Sequence, residues 1–192
     1  MVSISNLRKS IEQYNPFDEQ EEKDKQVTLD FIDSFDDVLT RNNKFGHFSA
    51  SAFVVTEDLT KALFVHHNIF NGFVCPGGHA DGEADLLSVA KREVYEETGI
   101  TAELLLGNNI FAIQAIAING HVKRGQYVSS HTHYDILYLL VVKNSEIDKI
   151  RILESENSKV EWFDLDNLNH PAMLDWFQPI LDKILKKLRK TF

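Results

Sequence analysis

The sequence predicts an α/β fold: one domain with a helical extension at its N-terminus. Three observations carry that prediction. Apolar residues recur every three or four positions in residues 1–40, 84–98 and 171–190. Short apolar runs of strand length stand between these segments. A glycine-rich stretch, "NGFVCPGGHADGE" (71–83), separates the first strand pair from the central helix. A chain of 192 residues is long enough for one such domain.

The elements follow in order. In "SISNLRKSIEQY", Ile4, Leu7 and Ile11 share a helical face, and Ser3 or Ser5 can cap the helix. Asn15-Pro16 interrupts it. Val27, Phe31, Phe35 and Val38 then mark a second helix. Residues 1–42 are therefore expected to be a helical extension packed on a main domain of residues 43–192. "HFSASAFVVT" (47–56) and "KALFVHH" (61–67) read as strands joined by a polar turn. Residues 71–83 read as a loop, tightened by Gly77, Gly78 and Gly82, and 84–98 as a helix with Leu86, Val89, Ala90 and Val94 on its apolar side. Gly99 stands where a C-terminal cap belongs. "ELLL" (103–106), "IFAIQAIAI" (110–118), "YDILYLLVV" (134–142) and "VEWFDL" (160–165) complete the strands. "PAMLDWFQPILDKILKKLRK" (171–190) is an amphipathic helix expected to bend at Pro179.

Charge narrows the function. The chain carries 20 basic and 29 acidic residues, a net of −9. That disfavours broad nucleic-acid or anionic-membrane binding, which needs a basic face. A small anionic ligand stays compatible if a metal ion carries the attraction. Residues 182–190 form a basic tail that fits an acidic helical surface, of this chain or of a partner, better than a membrane. The single cysteine, Cys75, excludes an intrachain disulfide and reads as a buried thiol. No leader-like run or membrane-length apolar stretch is present, so a cytoplasmic location is expected.

The chemistry is concentrated in "KREVYEETG" (91–99). Glu93 lies three and four residues from Glu96 and Glu97, a spacing at which like charges on a helix repel by about 0.2–0.5 kcal/mol per pair. A divalent cation turns that repulsion into attraction. Hard cations take oxygen ligands, and Mg²⁺ shares its shell between carboxylates, water and phosphate oxygens.

The run from Gly78 to Ile100 resembles the signature of the Nudix hydrolases, Gly-x5-Glu-x7-Arg-Glu-U-x-Glu-Glu-x-Gly-U with U bulky and apolar. Gly78, Arg92, Glu93, Val94, Glu96, Glu97, Gly99 and Ile100 match. The seventh position is Ala84 rather than Glu, with Glu83 one residue early and Asp85 one late. The resemblance implies a Nudix-type α/β/α sandwich with a mixed sheet. It also implies Mg²⁺- or Mn²⁺-dependent hydrolysis of a nucleoside diphosphate linked to another group. On the matching positions, Glu93, Glu96 and Glu97 become metal-binding carboxylates, the Gly78 carbonyl a further ligand, and Arg92 the group that holds a motif glutamate. Glu93 or a downstream loop glutamate would activate the water. Such a loop is "ESENSKVEWF" (154–163), where Glu154 and Glu156 are candidates and Glu156 is taken as a metal ligand.

Outside the motif, His131 and His133 share one face of a strand and are candidates for substrate binding, as is Arg124, with Lys123 and Tyr127 beside it. Trp162, Phe163, Phe45, Phe48 and Phe73 are expected in the core. The expected partner is a small nucleotide-derived diphosphate, and a homodimer is compatible with the acidic extension. Two alternatives stand beside the hydrolase: a non-catalytic nucleotide-sensing or protein-binding module, and an isopentenyl-diphosphate isomerase, which would need a catalytic cysteine context around Cys75.

Overall fold

The computed structural model describes residues 2–105, 107, 110–123, 125–168 and 173–192. The chain forms two compact units. Unit 1 comprises Met1–Ser51, Gly78–Val89 and Asn109–Tyr138, and unit 2 comprises Ala52–Gly77, Ala90–Asn108 and Leu139–Phe192. Strand β1 (Gly46–Thr56), helix α3 (Leu86–Thr98) and strand β9 (His131–Val142) contribute residues to both.

Unit 1 begins with α1 (Ile4–Gln13) and α2 (Glu19–Ser34). Ser3 caps α1 and Asp18 caps α2, each accepting a hydrogen bond from a backbone N–H of the first turn. Glu21 takes the N–H of Phe17 at 2.5 Å, closing the start of α2 as a capping box does. Its other oxygen accepts from the backbone of Ile113 at 3.4 Å, in strand β6 (Ala112–Ile118). The Tyr14 hydroxyl donates to the Phe111 carbonyl at 3.0 Å. Arg8 grips Asp33 with two bonds of 2.8 Å, joining α1 to α2. The packed face consists of Leu7, Ile11, Phe31 and Val38, and Phe31 stacks on Tyr134 at 4.2 Å. Val27 and Phe35, expected on that face, stay 44% and 37% exposed.

Within unit 1, β4 (Gly77–His79) pairs β1, β1 lies beside β9, and β6 pairs antiparallel with β9 from Ala112↔Leu137 to Ile118↔His131. Contacts between β1 and β9 climb both strands in the same sense. Phe45 meets Thr132, and farther along Ser49 meets Asp135. The sheet is thus mixed. Strands β7 (His121–Lys123) and β8 (Gln126–Val128) pair antiparallel.

Unit 2 holds β2 (Lys61–His67) antiparallel to the far half of β1, with β3 (Gly72–Val74) and β10 (Asn157–Asp164) both antiparallel to β2. The two-residue β5 (Glu103–Leu104) pairs the far half of β9. Phe64, Phe163, Phe73 and Phe177 interlock edge to face, with centroids 4.9–6.4 Å apart. Leu181, Ile184 and Leu188 of α4 (Gln178–Thr191) are buried in this unit.

Three local expectations are corrected. The stretch 71–83 is not one loop: Gly77 and Gly78 are extended strand residues, whereas Gly82 has positive φ (95°), as do Asn71 and Asp81. Pro179 does not bend the last helix. It lies in the first turn, where its missing N–H has no intrahelical partner to lose. Phe45 is 74% exposed, whereas Phe48 and Phe73 are buried as expected. The α/β class, mixed sheet and N-terminal helices agree with the sequence. Among the described residues no helix is long and apolar enough to cross a membrane.

Candidate functional site

The acidic cluster begins with the apolar face of α3. Leu86, Val89, Ala90 and Val94 are each 1% exposed or less. Asp85 starts the helix, its side chain accepting from Ser88 N–H at 3.3 Å and its carbonyl from Val89 N–H at 3.1 Å. Asp85, displaced by one residue from the loop-glutamate position, is therefore a helix cap. The helix ends at Gly99, whose φ of 74° closes the turn onto the Tyr95 carbonyl at 2.8 Å. A side chain on Gly99 would also meet Arg151 Cγ at 2.6 Å.

With that face buried, the following residues of α3 carry their carboxylates at graded depth. Glu96 is exposed, Glu93 half-buried and Glu97 only 1% exposed. Glu97 Oε2 accepts the Gly77 N–H at 2.9 Å, and the Glu97 carbonyl accepts from Asn157 Nδ2 at 3.2 Å. Burial pushes the Glu97 carboxyl up to about 8. The charges of Glu93, Glu156 and Glu96 push the same way, and the Gly77 bond opposes them. An isolated buried carboxylate is costly, and one surrounded by three like charges more so. This oxygen-only set suits a hard divalent cation. Arg92 Nη2 is 4.0 Å from Glu93 Oε1.

The structure thus gathers Glu93, Glu96, Glu97 and Glu156 in unit 2. Gly78 lies in β4 within unit 1. Arg124 lies outside the described residues.

His131 and His133 also belong to unit 1, and their neighbours are other histidines. His133 lies 4.8 Å from His47, 4.9 Å from His79 and 5.0 Å from His131, ring centre to ring centre. Burial, reinforced by neighbouring positive and histidine charges, pulls His47 down to about 4, His79 to about 3 and His133 to about 2, so all three are neutral at pH 7. Below them on the same faces of β1 and β9, Asp135 accepts from Ser49 Oγ at 2.8 Å and Ser51 Oγ at 2.5 Å. Burial raises the Asp135 carboxyl, and the two hydroxyls hold it back. Sequence reasoning missed His47 and His79. The parity of His47-x-Ser49-x-Ser51, matching His131-x-His133-x-Asp135, was the available signal.

The family model described as NUDIX domain matches residues 46–188. Similar solved structures include a hydrolase of the NUDIX family from Clostridium perfringens, at 20% identity, covering 74% of this chain and 97% of that one, with a TM-score of 0.53. The MutT protein from Methanosarcina mazei Go1 is 17% identical over 78% of this chain and 97% of its own, with a TM-score of 0.56. A C. elegans Ap4A hydrolase binary complex is 19% identical over 74% and 98%, with a TM-score of 0.51. At these identities the structures report a shared fold. No curated protein matched the sequence.

Proposed function

From the premise that this chain belongs to the Nudix family and is a pyrophosphohydrolase, we propose that it hydrolyses a phosphoanhydride in a nucleoside diphosphate linked to another moiety, using Mg²⁺ or Mn²⁺. One observation supports the reading above all. Glu97 is a fully buried carboxyl held by a single backbone N–H and surrounded by the charges of Glu93, Glu96 and Glu156. Structural proteins avoid such an arrangement unless a cation offsets it.

Glu93, Glu96, Glu97 and Glu156 would hold the ion. When bound, the ion supplies charge neutralisation of the diphosphate and acidifies a water. The chain's own residues do the rest. Gly77 N–H and Asn157 fix Glu97 from opposite ends of the residue, so its carboxylate is held in place without a reorganisation cost. Glu93, half-buried and beside Arg92, accepts the proton of the attacking water. The new P–O bond forms as the bridging P–O bond breaks, and the departing phosphate carries the bridging oxygen away. No covalent enzyme intermediate is needed, because substitution at phosphorus is governed by positioning and charge stabilisation.

A hydrolysis screen over nucleoside-diphosphate compounds, with and without Mg²⁺ or Mn²⁺, tests the proposal. Activity should depend on the metal and fall at least about 100-fold in Glu97→Gln. Equal turnover by the two proteins would refute the role given to the cluster.

A further inference from the structure

We propose that unit 1 contains a second metal site, formed by His47, His79 and His133, that binds a divalent transition cation of the zinc class. The proposal is independent of the hydrolytic reading, because it rests on different residues of different chemistry.

Each of the three residues offers one ligand nitrogen, and these atoms all lie within 4.8 Å of one another. A point equidistant from the corners of a triangle with 4.8 Å sides is about 2.8 Å from each. Zinc–imidazole bonds are about 2.0–2.1 Å. Even in that widest case each nitrogen need move inward by roughly 0.7 Å, which small ring rotations supply.

The second observation is His47 itself. It is 4% exposed, and neither buried ring nitrogen has a well-aligned hydrogen-bond partner among the described residues, the Asn43 backbone alone making a weak polar contact. An ordinary core histidine donates from one nitrogen and accepts at the other, and leaving both unsatisfied costs about 1–3 kcal/mol for each. A cation between the rings satisfies the lone pair that faces it.

His131 provides the support that ligand histidines usually have. Its Nδ1 lies 2.8 Å from the Ser129 carbonyl, to which only an N–H can bond. Its Nε2 is then the acceptor, and it lies 3.1 Å from His133 Nε2. His133 therefore donates from Nε2 and keeps a lone pair on Nδ1. This chain of carbonyl, His131 and His133 orients both rings.

The charges acting on these rings are not negative on balance. Arg41 and Lys123 act on these histidines as positive groups, and Asp81, ion-paired with Arg41, acts as a negative one. The site thus lacks the net negative charge that a hard cation needs. All-nitrogen imidazole ligation selects Zn²⁺, Co²⁺, Ni²⁺ or Cu²⁺ over Mg²⁺. Its ligands come from β1, β4 and β9, so an ion here would join three strands of one unit.

The test starts from chelator-stripped, full-length protein. Zn²⁺ is titrated calorimetrically, and Co²⁺ is added separately as a spectroscopic probe. Beyond any equivalent taken by the carboxylates in wild type, wild type and Glu97→Gln should both bind one equivalent of Zn²⁺ at the histidines, and Co²⁺ should give the visible absorption of a low-coordinate nitrogen site. His79→Gln and His133→Asn should weaken Zn²⁺ at least about 100-fold, a loss no smaller than that seen on removing outer-shell partners. Undiminished Zn²⁺ affinity in a folded histidine variant overturns the proposal. So does the loss of all Zn²⁺ binding in Glu97→Gln, which would place the ion among carboxylates. The Co²⁺ spectrum is read on wild type alone. Its absence refutes the site even if every histidine variant fails to fold.

Discussion

Removing metal from this protein should make its stability, measured against Glu97→Gln, fall as the pH rises, and Glu97 sets the size of the effect. In the folded chain its carboxyl titrates near 8, against an ordinary value of 4.5, because it is buried and faces Glu93, Glu156 and Glu96. The folded state therefore holds the proton more tightly than the unfolded state. The stability this confers is complete below about pH 4.5 and is lost as the pH climbs to about 8. Each pH unit within that window removes about 1.4 kcal/mol. Between pH 6 and pH 9 the loss relative to a variant lacking this carboxyl is about 3 kcal/mol, or about 6–12 °C in Tm for a chain of this size; the neutral His47, His79 and His133 act in the opposite sense and equally in both proteins. Glu97→Gln keeps an oxygen for the Gly77 N–H and carries no charge. With chelator present, its melting temperature should gain on that of wild type by this amount over the same range, leaving the variant more stable than wild type at pH 9. Saturating Mn²⁺ should restore wild type at pH 9 and leave the variant unchanged. Thermal melts at half-unit pH steps make the comparison. Parallel pH profiles for the two proteins in chelator, or equal stabilisation of both by Mn²⁺, would refute the reasoning.

Three further substitutions probe the supports of the two clusters. Gly99→Ala imposes a side chain at a φ of 74° against Arg151 Cγ at 2.6 Å, and urea unfolding should show a loss of about 1–3 kcal/mol. Ser49→Ala and Ser51→Ala each remove a donor from the buried Asp135 carboxyl and should cost about 1–3 kcal/mol singly. The double variant should depart from additivity by at least about 0.5 kcal/mol, as expected for two donors on one acceptor.

The contrast between the two clusters explains what was legible in the sequence. Glu93, Glu96 and Glu97 stand on one helix, so their proximity is fixed by the 3.6-residue period alone. The capping of that helix by Asp85 was not legible, because Glu83 and Asp85 flank Ala84, where the loop carboxylate is missing, and only the bond from Ser88 N–H shows Asp85 to be a cap. His47, His79 and His133 are far apart along the chain and meet only because β4 and β9 both lie beside β1. No local pattern reports strand neighbours. His131 and His133 were visible through their alternation, but the residues that face them were not. Phe45 failed for a related reason. Hydrophobicity says that a ring gains from burial, not that anything covers it, and its recorded ring contact is Phe35, itself 37% exposed.

The net charge of −9 and the proposed polyanionic substrate then belong to one argument. A diphosphate approaching Glu93, Glu96, Glu97 and Glu156 meets only repulsion from those side chains, so its affinity must be conditional on a cation. The cation's affinity is conditional in turn on the Glu97 proton, because ion and proton compete for one buried carboxyl. Metal affinity should therefore rise with pH through the same window in which the metal-free protein loses the stability that this proton confers. Substrate binding inherits that dependence although the diphosphate does not titrate there. The instability of the empty site and the affinity of the filled one are the same electrostatic free energy measured from opposite sides: what burial and the neighbouring charges cost the lone carboxylate, the ion recovers.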